Sequence, residues 1–311
     1  MGEWSKKIGE YGEDVVERFL SVIGWCNPAK GIQIECSKRK GEHMNRDGNQ
    51  VRTHGIDFLY SYMSPIVDGQ LNNIIISSKY KTEKYPNSPT NLFKEFFEDL
   101  VNTIDCFDDS EQKNQVLDFH KQFSTINDIG VLFWLNNQKD SNDDLISIIA
   151  NAKIDAVMDR AIYIMDNKHV AFILDLISYI KALNKYKYSF FYPSTGRNIN
   201  PTNRTDNGSI LPVEYINSSV IPIRLENINN PNEIVFFVGS IDGFDNDNFM
   251  RLMGLAKDMS KHLTGKVIIG FPDYNKLSNE NMVSIAKQGF EDADFTQTVS
   301  VVNYHNQLSV F

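Results

Sequence analysis

Two apolar runs, His54-Gly55-Ile56-Asp57-Phe58-Leu59-Tyr60 and Asn73-Ile74-Ile75-Ile76-Ser77-Ser78-Lys79, each carry a charge that an ordinary buried strand would not. Both are rich in β-branched or aromatic residues and bounded by polar loops, so both read as strands. The second has no alternation until its end, as in a central strand covered on both faces. A core strand tolerates an acid or a lysine only when something pairs with it, because an unpaired buried charge is costly. Asp57 and Lys79 at neighbouring apolar segments therefore point to a metal site. Asp57 would hold a divalent cation, and Lys79 would orient or polarise an attacking water. The turn around Val67-Asp68-Gly69 makes the two strands an antiparallel pair, which brings both charges to one end of the sheet.

Upstream, residues 9–23 have helical periodicity, with Val16, Phe19, Leu20 and Ile23 on one side. Glu13 falls on the border of that stripe, while Glu10, Asp14 and Glu17 point farther out. A border carboxylate suits a metal ligand or a group behind one; the plain alternative is a surface acid near a helix N-terminus. Gly31-Ile32-Gln33-Ile34-Glu35-Cys36 alternates like an edge strand. The loop that follows, residues 37–53, is long and basic, with Lys38, Arg39, Lys40, Arg46 and Arg52. It reads as a nucleic-acid contact or as a solvated loop. Beyond Lys79, Lys81 and Lys84 sit among tyrosines, where contacts to phosphates and bases compete with a plain polar loop. A helical stretch over 90–123, broken near Asp108-Asp109-Ser110, places Glu95 and Glu98 on one face. Strand 129–135, helix 142–151, strand 161–165 and helix 169–183 then predict a largely parallel sheet beyond the opening hairpin.

This ordered set resembles the PD-(D/E)xK nuclease superfamily, particularly its Mrr-like and Holliday-junction-resolvase-like branch. The resemblance rests on a first helix with an early glutamate that ends in Gly24-Trp25. It continues through the order helix, strand, strand with Asp57, strand with Lys79, helix, strand along residues 9–136. It implies an α/β fold: a restriction-endonuclease-like αβββαβ core, a mixed sheet flanked by helices. It also implies a metal-dependent endonuclease using Mg²⁺ or Mn²⁺, with Asp57, Lys79, Glu13, Ser77 and His54 as catalytic candidates. In one respect the chain departs from the family pattern. The third motif has an acid two residues before its lysine, and here that position is Ser77. Some members keep a serine there and take the carboxylate from the following helix, so Glu95, Glu98 and Glu13 compete with each other as ligands beside Asp57. The alternative is a degenerate site in a subunit that binds nucleic acid or a partner protein without cutting. His54 is placed to hydrogen-bond a phosphate or the water, or else a local backbone group. DNA is the commoner substrate of the superfamily, with RNA or tRNA the alternative. The chain also resembles effector nucleases of anti-phage or restriction systems, which often work with a partner protein.

The 311 residues correspond to about two domains. We expect a nuclease domain over 1–192, a linker at 193–208 rich in Asn, Thr, Gly and Pro, and a second α/β domain over 209–311 for assembly, sensing or regulation. In the second, strands are expected at 220–225, 233–238 and 266–271, helices at 246–263 and 279–290, and a terminal hairpin over 298–311. A formal net charge of −9 argues against a freestanding nucleic-acid binder and makes a basic partner subunit more plausible; a partner protein, a homo-oligomer or both are expected. Cys26, Cys36 and Cys106 have neither zinc-finger spacing nor a disulfide framework, and the six histidines do not cluster at ligand spacing. With no signal-peptide core and no apolar span, a cytoplasmic location is expected. Residues 242–248 lack the acid ladder and closing glutamate of a calcium loop.

Overall fold

The computed structural model describes residues 2–39, 41–44, 48–138, 144–154, 159–198, 204–260 and 265–305. The chain divides into two compact units, Met1–Val170 and Ala171–Phe311.

The first unit opens with α1 (Gly2–Val22), followed by β1 (Ala29–Glu35), β2 (Thr53–Met63) and β3 (Gln70–Lys81). Then come α2 (Thr90–Phe107), α3 (Glu111–Phe119), β4 (Thr125–Asn136), α4 (Leu145–Ile149) and β5 (Ile162–Met165). The break in the helical stretch falls where the sequence suggested, and Ser110 caps α3 by accepting the Lys113 N–H at 3.1 Å. The five strands lie in the order β1-β2-β3-β4-β5. β1 to β3 are antiparallel neighbours, and β4 and β5 add in parallel. This is the mixed sheet with flanking helices expected of the nuclease core. Central β3 is buried on both faces, with Ile74, Ile75 and Ile76 fully inaccessible. Phe93, Phe97, Leu100 and Ile104 of α2 join Ile75, Leu132 and Trp134 in one core cluster. On α1 and at its exit, Val16, Phe19, Leu20 and Ile23 form the predicted buried stripe, and the Phe19 ring meets Phe133 edge-on at 5.7 Å.

A polar network runs through the same unit. Asp128 of β4 is fully buried. It accepts hydrogen bonds from Asn73 at 2.8 Å and from the Lys113 ammonium at 2.7 Å. Lys113 also reaches Asp108 at 2.6 Å, and Arg160 donates to Asp108 at 2.9 Å. Two acids and two bases balance here, which is what makes a buried carboxylate tolerable.

The second unit contains most of α5 (Asn167–Ala182), followed by β6 (Tyr186–Phe191), β7 (Asn207–Gly208), β8 (Val220–Asn227) and β9 (Asn230–Ser240). It ends with α6 (Asn246–Ser260), β10 (Val267–Phe271), α7 (Lys276–Gln288), α8 (Ala293–Thr298) and β11 (Val299–Asn303). Its six-stranded sheet has the order β11-β10-β9-β8-β6-β7. Two expectations change here. The compact units divide at 170/171 rather than at 192, because β6 pairs with β8 of the second sheet, and β7, within the expected linker, pairs with β6. The expected terminal hairpin is replaced in its first half by β11, which pairs in parallel with β10; the stretch expected to form its second half lies outside the described residues. No helix among the described residues is long and apolar enough to cross a membrane.

Gly12 sets the approach of α1 to β3. A Cβ built there would lie 2.3 Å from Cβ and 2.7 Å from Cγ of Tyr80. Alanine in a helix interior gains about 1 kcal/mol in propensity over glycine. Overpacking against a fixed Cβ costs about 1–3 kcal/mol. Gly12→Ala should therefore be net destabilising, read as a lower midpoint in urea unfolding; an unchanged or higher midpoint would contradict this packing.

Candidate active site

Asp57 and Lys79 do meet at one end of the sheet. The antiparallel register of β2 and β3 runs from Met63 opposite Leu71 to Phe58 opposite Ile76. One step further, where the ladder stops, Asp57 comes level with Ser77. There the Ser78 N–H donates to the Asp57 carboxylate at 2.6 Å, so the side chain satisfies a backbone donor of β3. Burial pushes the Asp57 carboxyl above its ordinary range and outweighs the Ser78 hydrogen bond and Lys79, which favour the ionised form; Asp99 adds repulsion.

Glu13 arrives from α1. It stands at the helix surface, yet partial desolvation and the charges of Asp57, Glu10 and Asp14 raise its pKa against the opposing pull of Lys30. Among the charges acting on Glu13, that of Asp57 is the largest. The negative charge of Asp57 thus acts on Glu13 as a repulsion. A divalent cation would relieve that repulsion, and a hard cation held by one or two carboxylates plus water and phosphate is the ordinary Mg²⁺ arrangement. The donor set therefore fits the cation.

The Lys79 ammonium lies 3.4 Å from Asp99 Oδ2 and 5.5 Å from the centroid of the Phe96 ring. Both partners sit on α2. Asp99 is the residue that sequence reasoning missed; its signal was its place beside Glu98 on the same helix. A cleft of about 460 Å³ opens here, lined by Met44, Val51, His54, Lys79, Glu95, Phe96, Glu98, Asp99 and Asn102. Glu95 and Glu98 share this cleft, as their spacing suggested. They do not close a three-carboxylate cluster with Asp57 among the described residues. Ser77 is buried and offers no charge.

His54 is buried and turns its Nε2 to Nδ1 of His43, 3.3 Å away, rather than standing free beside Asp57. Burial, then His43, lower its pKa against the pull of Asp99. The cysteines and histidines are also not as scattered as their spacing implied. Ligand atoms of Cys36, His43, His54 and Cys106 lie within 4.8 Å of one another. Distance along the chain hid this, because the end of β1, the following loop, β2 and α2 each supply one residue.

Of the basic candidates, Lys38 and Arg39 follow β1 and Arg52 precedes β2, while Lys81 ends β3 and Lys84 follows it. Lys40 and Arg46 lie outside the described residues. None of the described basic side chains of these loops lines the cleft; the loop before β2 contributes Met44 and Val51 to its wall instead. A larger hollow of about 650 Å³ in the second unit is lined by Tyr274, Lys276, Glu280, Lys287 and Asn303. It holds none of the motif residues, so the smaller cleft is the candidate site.

A family model for the GAPS4 protein PD-(D/E)XK nuclease domain matches residues 1–169. The chain belongs to this nuclease family. The match covers the first compact unit almost to its end, and with it α1, the Asp57 and Lys79 strands and α2. No curated protein matches the chain. PD-(D/E)XK nucleases generally depend on a divalent metal.

A raised carboxyl pKa in the folded state has a definite sign. The folded protein then binds protons more tightly than the unfolded chain. The stability this provides is present below the unfolded pKa and lost as pH rises through the folded value. In EDTA, Asp57→Asn should therefore raise the thermal midpoint at pH 8, and the difference should shrink as pH falls into the ordinary carboxylate range. A midpoint lowered by this substitution at pH 8 would show that burial does not disfavour the ionised Asp57 carboxylate in its metal-free surroundings.

Proposed function

We propose that the chain is a metal-dependent endonuclease that hydrolyses phosphodiester bonds, with DNA as the leading substrate class. The observation that supports the reading is Asp57, held against β3 by the Ser78 N–H at the same sheet end as Lys79, with its charge felt by the acid Glu13 on α1. Asp57 and Glu13 would hold Mg²⁺ or Mn²⁺, which when bound would supply charge neutralisation at the phosphate and acidify a water. Asp57 is fixed for this by the Ser78 N–H, so its carboxylate does not have to be ordered when substrate arrives.

Lys79 contributes a positive charge at the same sheet end. Asp99 and the Phe96 ring hold its ammonium over the cleft, where it can orient a water or meet a phosphate oxygen. Glu13 supplies the acid that the motif lacks at Ser77. Glu95 and Glu98 line the substrate side of the cleft, and we assign them no ligand role beside Asp57. His54, engaged with His43, has no part in the reaction. The basic residues Lys38, Arg39, Arg52, Lys81 and Lys84 would meet the nucleic-acid backbone outside the cleft. The anti-phage or restriction role suggested by the family, and an assembly or sensing role for the second unit with a partner protein or second copy, belong to the same proposal.

The test is cleavage of supercoiled DNA, linear DNA and total tRNA in Mg²⁺ or Mn²⁺, with EDTA as control. We expect DNA cleavage that EDTA abolishes, that Asp57→Ala and Lys79→Ala each reduce by about 10²-fold or more, and that Glu13→Gln also lowers. Cleavage that survives Asp57→Ala would sink the assignment of the site; cleavage confined to tRNA would correct the substrate class.

A further inference from the structure

Cys36, His43, His54 and Cys106 place four soft or borderline donor atoms around one point. Nδ1 of His43 lies 3.5 Å from the sulfur of Cys36, 3.5 Å from that of Cys106 and 3.3 Å from Nε2 of His54. The two sulfurs are 3.8 Å apart. A single ring nitrogen has one proton or one lone pair, so these three contacts cannot all be hydrogen bonds. A shared centre accounts for all of them. Tetrahedral zinc with Zn–S of about 2.3 Å and Zn–N of about 2.0–2.1 Å requires S···S of about 3.8 Å, N···N of about 3.3 Å and S···N of about 3.5 Å. The distances observed are those edges.

We propose that these four residues bind one structural Zn²⁺ ion, separate from the catalytic cation. The ligand chemistry selects the metal: two thiolates and two imidazoles suit zinc, whereas magnesium and manganese prefer oxygen. Two thiolates neutralise the dication, and the two thiol protons leave to solvent on binding, so a site with three of its four ligands buried carries no net charge. The Ser37 hydroxyl donates to the Cys106 sulfur at 3.8 Å, a contact from beside the ligand set that orients it. The four residues follow β1, lie in the loop, lie in β2 and end α2. The ion would therefore staple the basic loop to the helix that bears Glu95, Glu98 and Asp99. Met44 and Val51 of that loop line the cleft, so zinc would fix one of its walls.

The full chain, prepared without a histidine tag or chelator, tests this by elemental analysis. We expect about one zinc per chain, retained in Asp57→Ala and in Cys26→Ser, and lost in the Cys36→Ser, Cys106→Ser double variant. Wild-type protein gives a second measurement that needs no substitution. Alkylation should label exposed Cys26 and spare Cys36 and Cys106 until a strong chelator is added. Stoichiometric iron in place of zinc would overturn the proposal. So would substoichiometric zinc with no uptake of added Zn²⁺, zinc retained by the double variant, or a Cys36–Cys106 disulfide in the purified protein. Metal content is read without cleavage, so failure of the nuclease reading would leave this result unaffected.

Discussion

The hydrogen bond from the Ser78 N–H to Asp57 ties the site to the sheet. One step beyond the last rung of the β2–β3 ladder, the side chain of Asp57 takes the place of a backbone acceptor, and so an acid is held where the pairing of the two strands stops. Everything nearby answers to that placement. Glu13 repels it from α1, Lys79 opposes its charge from β3, and Asp99 on α2 in turn steadies Lys79. The core of isoleucines and phenylalanines beneath makes these elements rigid enough to keep like charges together, which is the usual condition for chemistry at a charged site.

The fold was legible because its determinants are local. Strand runs of β-branched residues, the stripe on α1 and the break after Phe107 each announce themselves within a few residues. Asp57, Lys79 and the pair Glu95 and Glu98 were legible for a related reason: a charge closing an apolar strand, or two acids one helical turn apart, is visible in one dimension. Asp99 was not, because only the packing of α2 against β3 shows which of the adjacent acids Lys79 meets. The boundary between units was misread because Asn, Thr, Gly and Pro mark loops but do not say which sheet the preceding strand joins. Tyr186–Phe191 pairs with β8, a partner well ahead of it in the chain.

The Cys and His residues show the same limit more sharply. Positions 36, 43, 54 and 106 have no ligand spacing in sequence, since zinc motifs recognisable in sequence place their ligands in close pairs. Here the pairs are made by folding. The two proposed sites would separate two kinds of donor in one domain: oxygen donors at the sheet end, and sulfur and nitrogen donors under the adjoining loop. Hard and borderline cations would not compete for the same place, and the ordering of the cleft wall need not depend on the cation that serves the reaction.

Helix α3 buries no side chain of its own. It is held by partly buried Val116, which packs against the core, and by Lys113, whose ammonium completes the shell of fully buried Asp128. Peeling α3 from the sheet would expose little oil to water but would strand a carboxylate in the interior, so fraying of this surface helix carries an electrostatic penalty. A short amphiphile of low hydrophobicity is thereby bound into the cooperative unit of the sheet, and the last turn of α2, which precedes it in the chain, is closed off from its far end.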